Sequence, residues 1–159
     1  MEVDQLKSLL SRFDIKLSKR LGQNFLLSEE VLDQIVKTAQ LTREDQVLEI
    51  GPGLGALTRR LGERAGLVLA IEKDYKLAEV LRRMFRSKKN VKIIRADALF
   101  INPATYNLKP NSYKLVANIP YYITGKLLRT VLEHQIKPSA LALIIQKEVA
   151  ERIIAKKGK

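Results

Sequence analysis

Cysteine is absent from the 159 residues. Without thiols the chain forms no disulfide, no thiolate zinc site and no cysteine nucleophile, and it suits a reducing cytoplasm, the expected compartment. Histidine occurs once, at His134, which excludes multi-histidine metal sites and gives a histidine-based triad no support. Long apolar runs are also missing: none approaches the roughly 18–20 residues that span a bilayer. The start, MEVDQLKSLL, has no basic segment followed by a long apolar core, so no secretory signal is read there. Acidic residues are scarce relative to basic ones, 17 against 29, for a formal charge of +12 and a pI near 10.0. That excess points to an acidic partner, most simply nucleic acid. Hydrophobic residues still make up 46%, enough for a buried core and too many for a disordered basic tail.

What is present is an alternation. Short apolar runs alternate with stretches of helical period, the pattern of an α/β domain on a parallel sheet. Strands are predicted at 47–50, 67–72, 91–96, 114–117 and 141–145, nearly all apolar, as for strands covered on both faces. Ser28 is the predicted N-cap of a helix over 29–39, and Asp74 caps one whose core side is Leu77, Val80, Leu81, Met84 and Phe85. Thr124 is predicted to cap a helix over 125–135 with Leu127, Leu128, Val131 and Leu132 inward. A last helix over 147–156 places Val149, Ala150, Ile153 and Ile154 inward. Arg82, Arg83, Arg86, Lys88, Lys89, Lys92 and Arg95 form a basic run without an acid. It reads as a solvated helix end and loop, with a phosphate-contacting patch as the alternative. The fifth strand is left with one open apolar edge, the mark of a fragment or of an edge that another chain covers.

Four features carry chemistry. Val47-Leu48-Glu49-Ile50-Gly51-Pro52-Gly53-Leu54-Gly55-Ala56 runs from a strand through a glycine turn into a helix bearing Leu57 and Leu61. Missing Cβ atoms let such a turn approach a ligand where open parallel sheets bind them. The spacing satisfies a dinucleotide fingerprint, and Glu49 ahead of it also suits S-adenosylmethionine. Glu72 ends the second strand, where a carboxylate can accept from both ribose hydroxyls of an adenosine cofactor. A capping cluster with Lys73 and Asp74 is the competing explanation, and Asp74 fits the cap better. Asp97 ends the third strand, where it can accept from an adenine amino group or be an ordinary strand-to-loop aspartate.

Asn118-Ile119-Pro120-Tyr121-Tyr122 follows the fourth strand at the same sheet edge. The Asn118 side-chain oxygen and the Ile119 carbonyl, fixed by Pro120, can each accept one N6 hydrogen of a flipped-out adenine while Tyr121 stacks on its ring. Two acceptors aimed at those hydrogens concentrate the amine lone pair and stabilise positive charge developing on the nitrogen. No strong general base is needed.

In order, the chain carries Lys19-Arg20-Leu21-Gly22-Gln23-Asn24-Phe25-Leu26, the glycine turn, Asp97-Ala98-Leu99, Asn118-Ile119-Pro120-Tyr121-Tyr122-Ile123-Thr124 and Gln146-Lys147-Glu148-Val149-Ala150-Glu151-Arg152. This set resembles the small-subunit ribosomal RNA adenine N6,N6-dimethyltransferases of the KsgA type, from about Lys19 to Arg152. The resemblance implies an α/β, Rossmann-like fold that uses S-adenosylmethionine, with a mostly parallel sheet, flanking helices and the last strand pair missing. The implied target is two adjacent adenosines near the 3′ end of 16S ribosomal RNA, in the small ribosomal subunit or its precursor.

By the same resemblance, Asn24, Leu26, Gly51, Gly53, Glu72, Asp97 and Asn118 contact the cofactor. Asn118, Ile119, Pro120 and Tyr121 form the catalytic set, and Lys16, Lys19 and Arg20 contact RNA phosphates. Residues 1–27 are then a basic and cofactor-site segment, and 28–159 a catalytic domain without the helical domain that follows in family members. No metal and no membrane is called for. The sister enzymes that dimethylate large-subunit RNA and confer macrolide resistance share the Asn-Ile-Pro-Tyr core. A non-catalytic RNA- or DNA-binding assembly or transcription factor on the same fold is the alternative of another class.

Overall fold

The computed structural model describes residues 28–119 and 121–155 together with Ser8, Ser11 and Arg12; for Tyr121 the backbone alone is described. The described chain runs α1 (Glu29–Thr38), β1 (Gln46–Ile50), α2 (Ala56–Arg64), β2 (Leu67–Glu72), α3 (Tyr75–Met84), β3 (Val91–Arg95), β4 (Tyr113–Asn118), α4 (Thr124–Glu133), β5 (Ala140–Ile144) and α5 (Lys147–Ile154). The strands form one sheet in the order β3-β2-β1-β4-β5, every neighbouring pair parallel. Parallel neighbours need crossovers, and the helices supply them, so both faces of the sheet are covered.

Alternating side chains build two cores. Val47, Val68 and Val116 face one side with Leu32, Leu61, Leu77 and Leu81. Leu48, Ile50, Leu69, Ile71 and Leu115 face the other with Leu108 and Leu127. Each such side chain, buried almost completely, contributes about 1.5–3 kcal/mol. Coverage fails at the edges. In β3, Lys92 and Arg95 are exposed, and Ala140 of β5 is exposed as well, so two-sided burial belongs to β1, β2 and β4.

Helix starts follow local chemistry. The Ser28 hydroxyl accepts from the Val31 N–H at 3.3 Å, with Glu29 and Glu30 in the first turn. Asp74 accepts from the Leu77 N–H at 2.8 Å. Thr124 is not a cap. It is the first, buried residue of α4, because a 3-10 turn over Tyr121–Ile123 brings the chain in already coiled. Helix α4 ends at Glu133, and His134 terminates it, its Nδ1 accepting from the Ile136 N–H at 2.9 Å. Leu132 is exposed on α4, and Ile153 and Ile154 are exposed on α5, against the inward placement that periodicity predicted. Helix α5 buries no residue fully: Val149 and Ala150 are partly covered, and the rest of its apolar stripe is exposed.

Candidate active site

The site is built where β1, β2, β3 and β4 end. Gly51, Gly53 and Gly55 take φ values of +68, +58 and +79°, in the left-handed region that favours glycine. The Gly51 N–H donates to the Ile71 carbonyl at 3.1 Å, which ties the turn to β2, and the Gly55 N–H donates to the Pro52 carbonyl at 2.9 Å. Gly55 also permits packing: a Cβ there would lie 2.7 Å from the Phe85 ring and 3.0 Å from Leu81. At Gly51 a Cβ would lie 3.9 Å from the Asn118 carbonyl oxygen, so the glycine turn and the Asn118 segment meet backbone to backbone.

Three carboxyl groups stand on or just past β1, β2 and β3 at this end of the sheet. Glu49 is fully buried on β1, and burial pushes its carboxyl up to about 8. The neighbouring Thr58 hydroxyl favours the charged form and the charge of Glu72 opposes it. Neither Glu49 oxygen completes a hydrogen bond, and nor does the Thr58 hydroxyl. Glu72 is buried at the end of β2 and accepts from the Asp74 N–H at 2.8 Å. Burial raises its carboxyl, and the N–H groups of Asp74, Lys73 and Gly53 partly counter this. Glu72 and Asp74 therefore divide the work that the sequence left open: Asp74 caps α3, and Glu72 faces the glycine turn.

Asp97 is solvated and differently engaged. Its carboxylate pairs with Lys73 at 2.9 Å and accepts from the Leu99 N–H at 3.0 Å, and both hold it below the usual range. Lys73 was hidden in the sequence because it sits inside an apparent capping cluster. The pair rests on register: β2 and β3 pair in parallel with Glu72 opposite Arg95, which sets the residues just past each strand side by side.

Asn118 closes β4 and is partly buried; Ile119 is buried and its N–H donates to the Ile144 carbonyl at 3.1 Å. The segment is thus anchored on β5 as it leaves the sheet. Gly51, Gly53, Glu72, Asp97, Asn118 and Ile119 share one edge, as the sequence reading expects. Pro120, the Tyr121 side chain, Asn24, Leu26, Lys16, Lys19 and Arg20 lie outside the described residues. The basic run is exposed throughout; Arg82 pairs with Glu79, and Arg95 lies 5.2 Å over the Tyr75 ring. A cleft of about 800 Å³ lined by Asp33, Lys37, Arg60 and Arg64 lies between α1 and α2 and includes none of the site residues. Among the described residues no helix is long and apolar enough to cross a membrane, and no cluster of His, Cys, Asp or Glu could hold a metal ion.

Known proteins resemble this chain. The chain is 45% identical over 154 residues to ribosomal RNA small subunit methyltransferase A of Dehalococcoides mccartyi strain CBDB1, covering 97% of this chain and 53% of the relative. It is 40% identical to the protein of the same name from Halothermothrix orenii, over 94% of this chain and 51% of that one. The chain therefore spans about half the length of the curated relatives it matches. Among solved structures, 23S rRNA methyltransferase ErmE superposes with a TM-score of 0.71 at 34% identity, covering 80% of this chain and 50% of that one. A dimethyladenosine transferase from Plasmodium falciparum gives 0.71 at 32%, covering 84% and 47%. The fold is that of the Rossmann-like methyltransferases. The model of the family described as ribosomal RNA adenine dimethylase matches residues 15–159, and the chain belongs to that family.

Proposed function

We propose that this chain carries the catalytic part of an S-adenosylmethionine-dependent enzyme that dimethylates N6 of two adjacent adenosines near the 3′ end of 16S ribosomal RNA. It acts on the cytoplasmic small subunit or its precursor. The observation that supports this most is the parallel register of β1 and β4, Ile50 opposite Ala117, which sets Gly51 beside Asn118 at the sheet edge that Glu72 and Asp97 also reach. A methyl-donor site and a base-orienting segment are thereby joined.

The residues suit the cofactor. The buried Glu72 carboxyl beside the glycine turn favours a ligand that brings hydroxyl donors, and the turn admits close approach. Gly51, Gly53, Glu72, Asp97 and Asn118, with Asn24 and Leu26, would hold it. When bound, it supplies an electrophilic methyl group on a sulfonium. The Asn118 side chain and the Ile119 carbonyl accept the N6 hydrogens of the target adenine, and Tyr121 stacks on its ring. Pro120 fixes the direction of the Ile119 carbonyl. Lys16, Lys19 and Arg20 meet phosphates and set the register of the RNA.

The small-subunit target is preferred over the large-subunit one because both curated relatives cited carry a small-subunit name. The test incubates the protein with labelled S-adenosylmethionine and undermethylated small or large subunits and maps the modified adenosine. Label on small-subunit RNA is expected; label on the large subunit alone, or on no RNA, overturns the reading.

A further inference from the structure

Beside this site stands an aromatic side chain that the proposed chemistry does not use. Phe100 is 78% exposed, although its neighbours Ala98 and Leu99 pack against the core. Its position is nonetheless fixed. Asp97 accepts from the Leu99 N–H through its carboxylate and from the Phe100 N–H through its carbonyl, both at 3.0 Å. The resulting tight turn over Ala98–Phe100 rests on α4. Asp97, just past β3 at the site, thus also holds the backbone that carries the ring.

The ring is bordered by cations. Lys126, in the first turn of α4, holds its ammonium 5.8 Å from the Phe100 centroid. Gly125 before it has nothing within 4 Å of where a Cβ would stand, so the approach is open. Tyr122 is exposed in the 3-10 turn that leads into α4, and Lys73 is exposed over Asp97. Asp97, the acid of this rim, is already paired with Lys73.

A protein interface of ordinary strength buries roughly 800 Å² per partner around an apolar centre. One ring among lysines offers far less apolar area, but it matches a strand that carries a flat base and a phosphate at every step. We infer that Phe100 and Lys126 form a platform for a nucleotide flanking the target adenosine, the ring stacking on its base and the ammonium meeting its phosphate. The inference rests on the reading of RNA as substrate.

The experiment measures binding of a ten-nucleotide, end-labelled RNA with two adjacent adenosines by fluorescence anisotropy, and cofactor binding by calorimetry on the same protein. Phe100→Ala, at an exposed position, is expected to weaken RNA binding about fivefold or more and to leave cofactor binding unchanged. Phe100→Tyr is expected to restore it. Lys126→Ala is expected to reduce the salt slope of RNA binding by about one. RNA affinity unchanged in Phe100→Ala, or a tyrosine that binds no better than alanine, overturns the platform and leaves the RNA reading standing. An unaltered chain that binds cofactor and no RNA removes both.

Discussion

The two sides of the site solve opposite electrostatic problems. On the β1–β2 side, Glu49 and Glu72 are buried beneath a turn of backbone N–H groups, and the nearest polar side chain is a hydroxyl. At the end of β4, Asn118 is neutral, and the outer rim, built from the residues past β2 and β3 and the start of α4, carries Lys73, Phe100, Tyr122 and Lys126 in solvent. A chain with a formal charge of +12 has thus buried carboxyl groups in one low-dielectric spot, where burial favours their neutral form. The cations stay outside, where they attract a polyanion at long range. The difference teaches that a basic chain can keep its cations at the rim and suppress charge in the buried lining, each matched to a different ligand.

The contrast is tested hardest at Asn118. Asn118→Ala is expected to cut methyl transfer by about 100-fold or more, the usual loss when an oriented polar group at a reacting centre is removed. Labelled methyl incorporation into undermethylated small subunits measures it. Thermal shift by S-adenosylmethionine should persist, because Glu72 and the glycine turn remain. Survival of transfer would remove the base-orienting role.

The buried side is tested through pH. Glu49 sits at about 8 when folded, against 4.5 as its ordinary value. The folded state therefore holds a proton that the unfolded chain has released. Its contribution to stability is fully present below about pH 4.5 and is lost as the pH rises to about 8, at up to about 1.4 kcal/mol per unit. Glu72, also raised, acts in the same direction. Glu49→Gln is expected to flatten this slope in urea unfolding between pH 5 and 8, about the window that the two values define. An unchanged slope would show that Glu49 is not the group that titrates.

Smaller effects sharpen the contrast. Gly55→Ala forces a Cβ against Phe85 and Leu81 at positive φ, and a loss of about 1–3 kcal/mol is expected. For a domain of this size that lowers Tm by about 2–4 °C per kcal/mol. Lys73→Ala releases Asp97 from an exposed ion pair. Cofactor affinity by calorimetry is expected to rise about two- to fivefold, the scale of a surface pair. A fall would mean that Lys73 helps hold the ligand.

Much of this was legible in the residues because each signal was local. Apolar runs marked all five strands to within a residue at either end, and Ser28 and Asp74 announced their helices through side chains that cap three residues on. The glycine turn, Glu72, Asp97 and Asn118 each follow a strand, so parallel order alone carried them to one edge. Less was legible where the deciding partner is distant. The Lys73–Asp97 pair depends on strand register. Thr124 has a capping side chain, but the chain enters α4 from a 3-10 turn that leaves no capping position for it. Ile153 and Ile154 repeat at helical spacing, yet period says only that a face is apolar and not that something covers it.

The meeting of Gly51 with Asn118 also has a kinetic side. They are 67 residues apart in the chain, and α2, β2, α3 and β3 all lie between β1 and its neighbour β4 in sequence. Contacts of such separation carry a loop-closure cost that local helices and neighbouring strands do not, so they tend to slow folding. Ligand competence should accordingly emerge late in refolding, after most of the helical signal has returned, and no shorter stretch of chain holds both walls of the site.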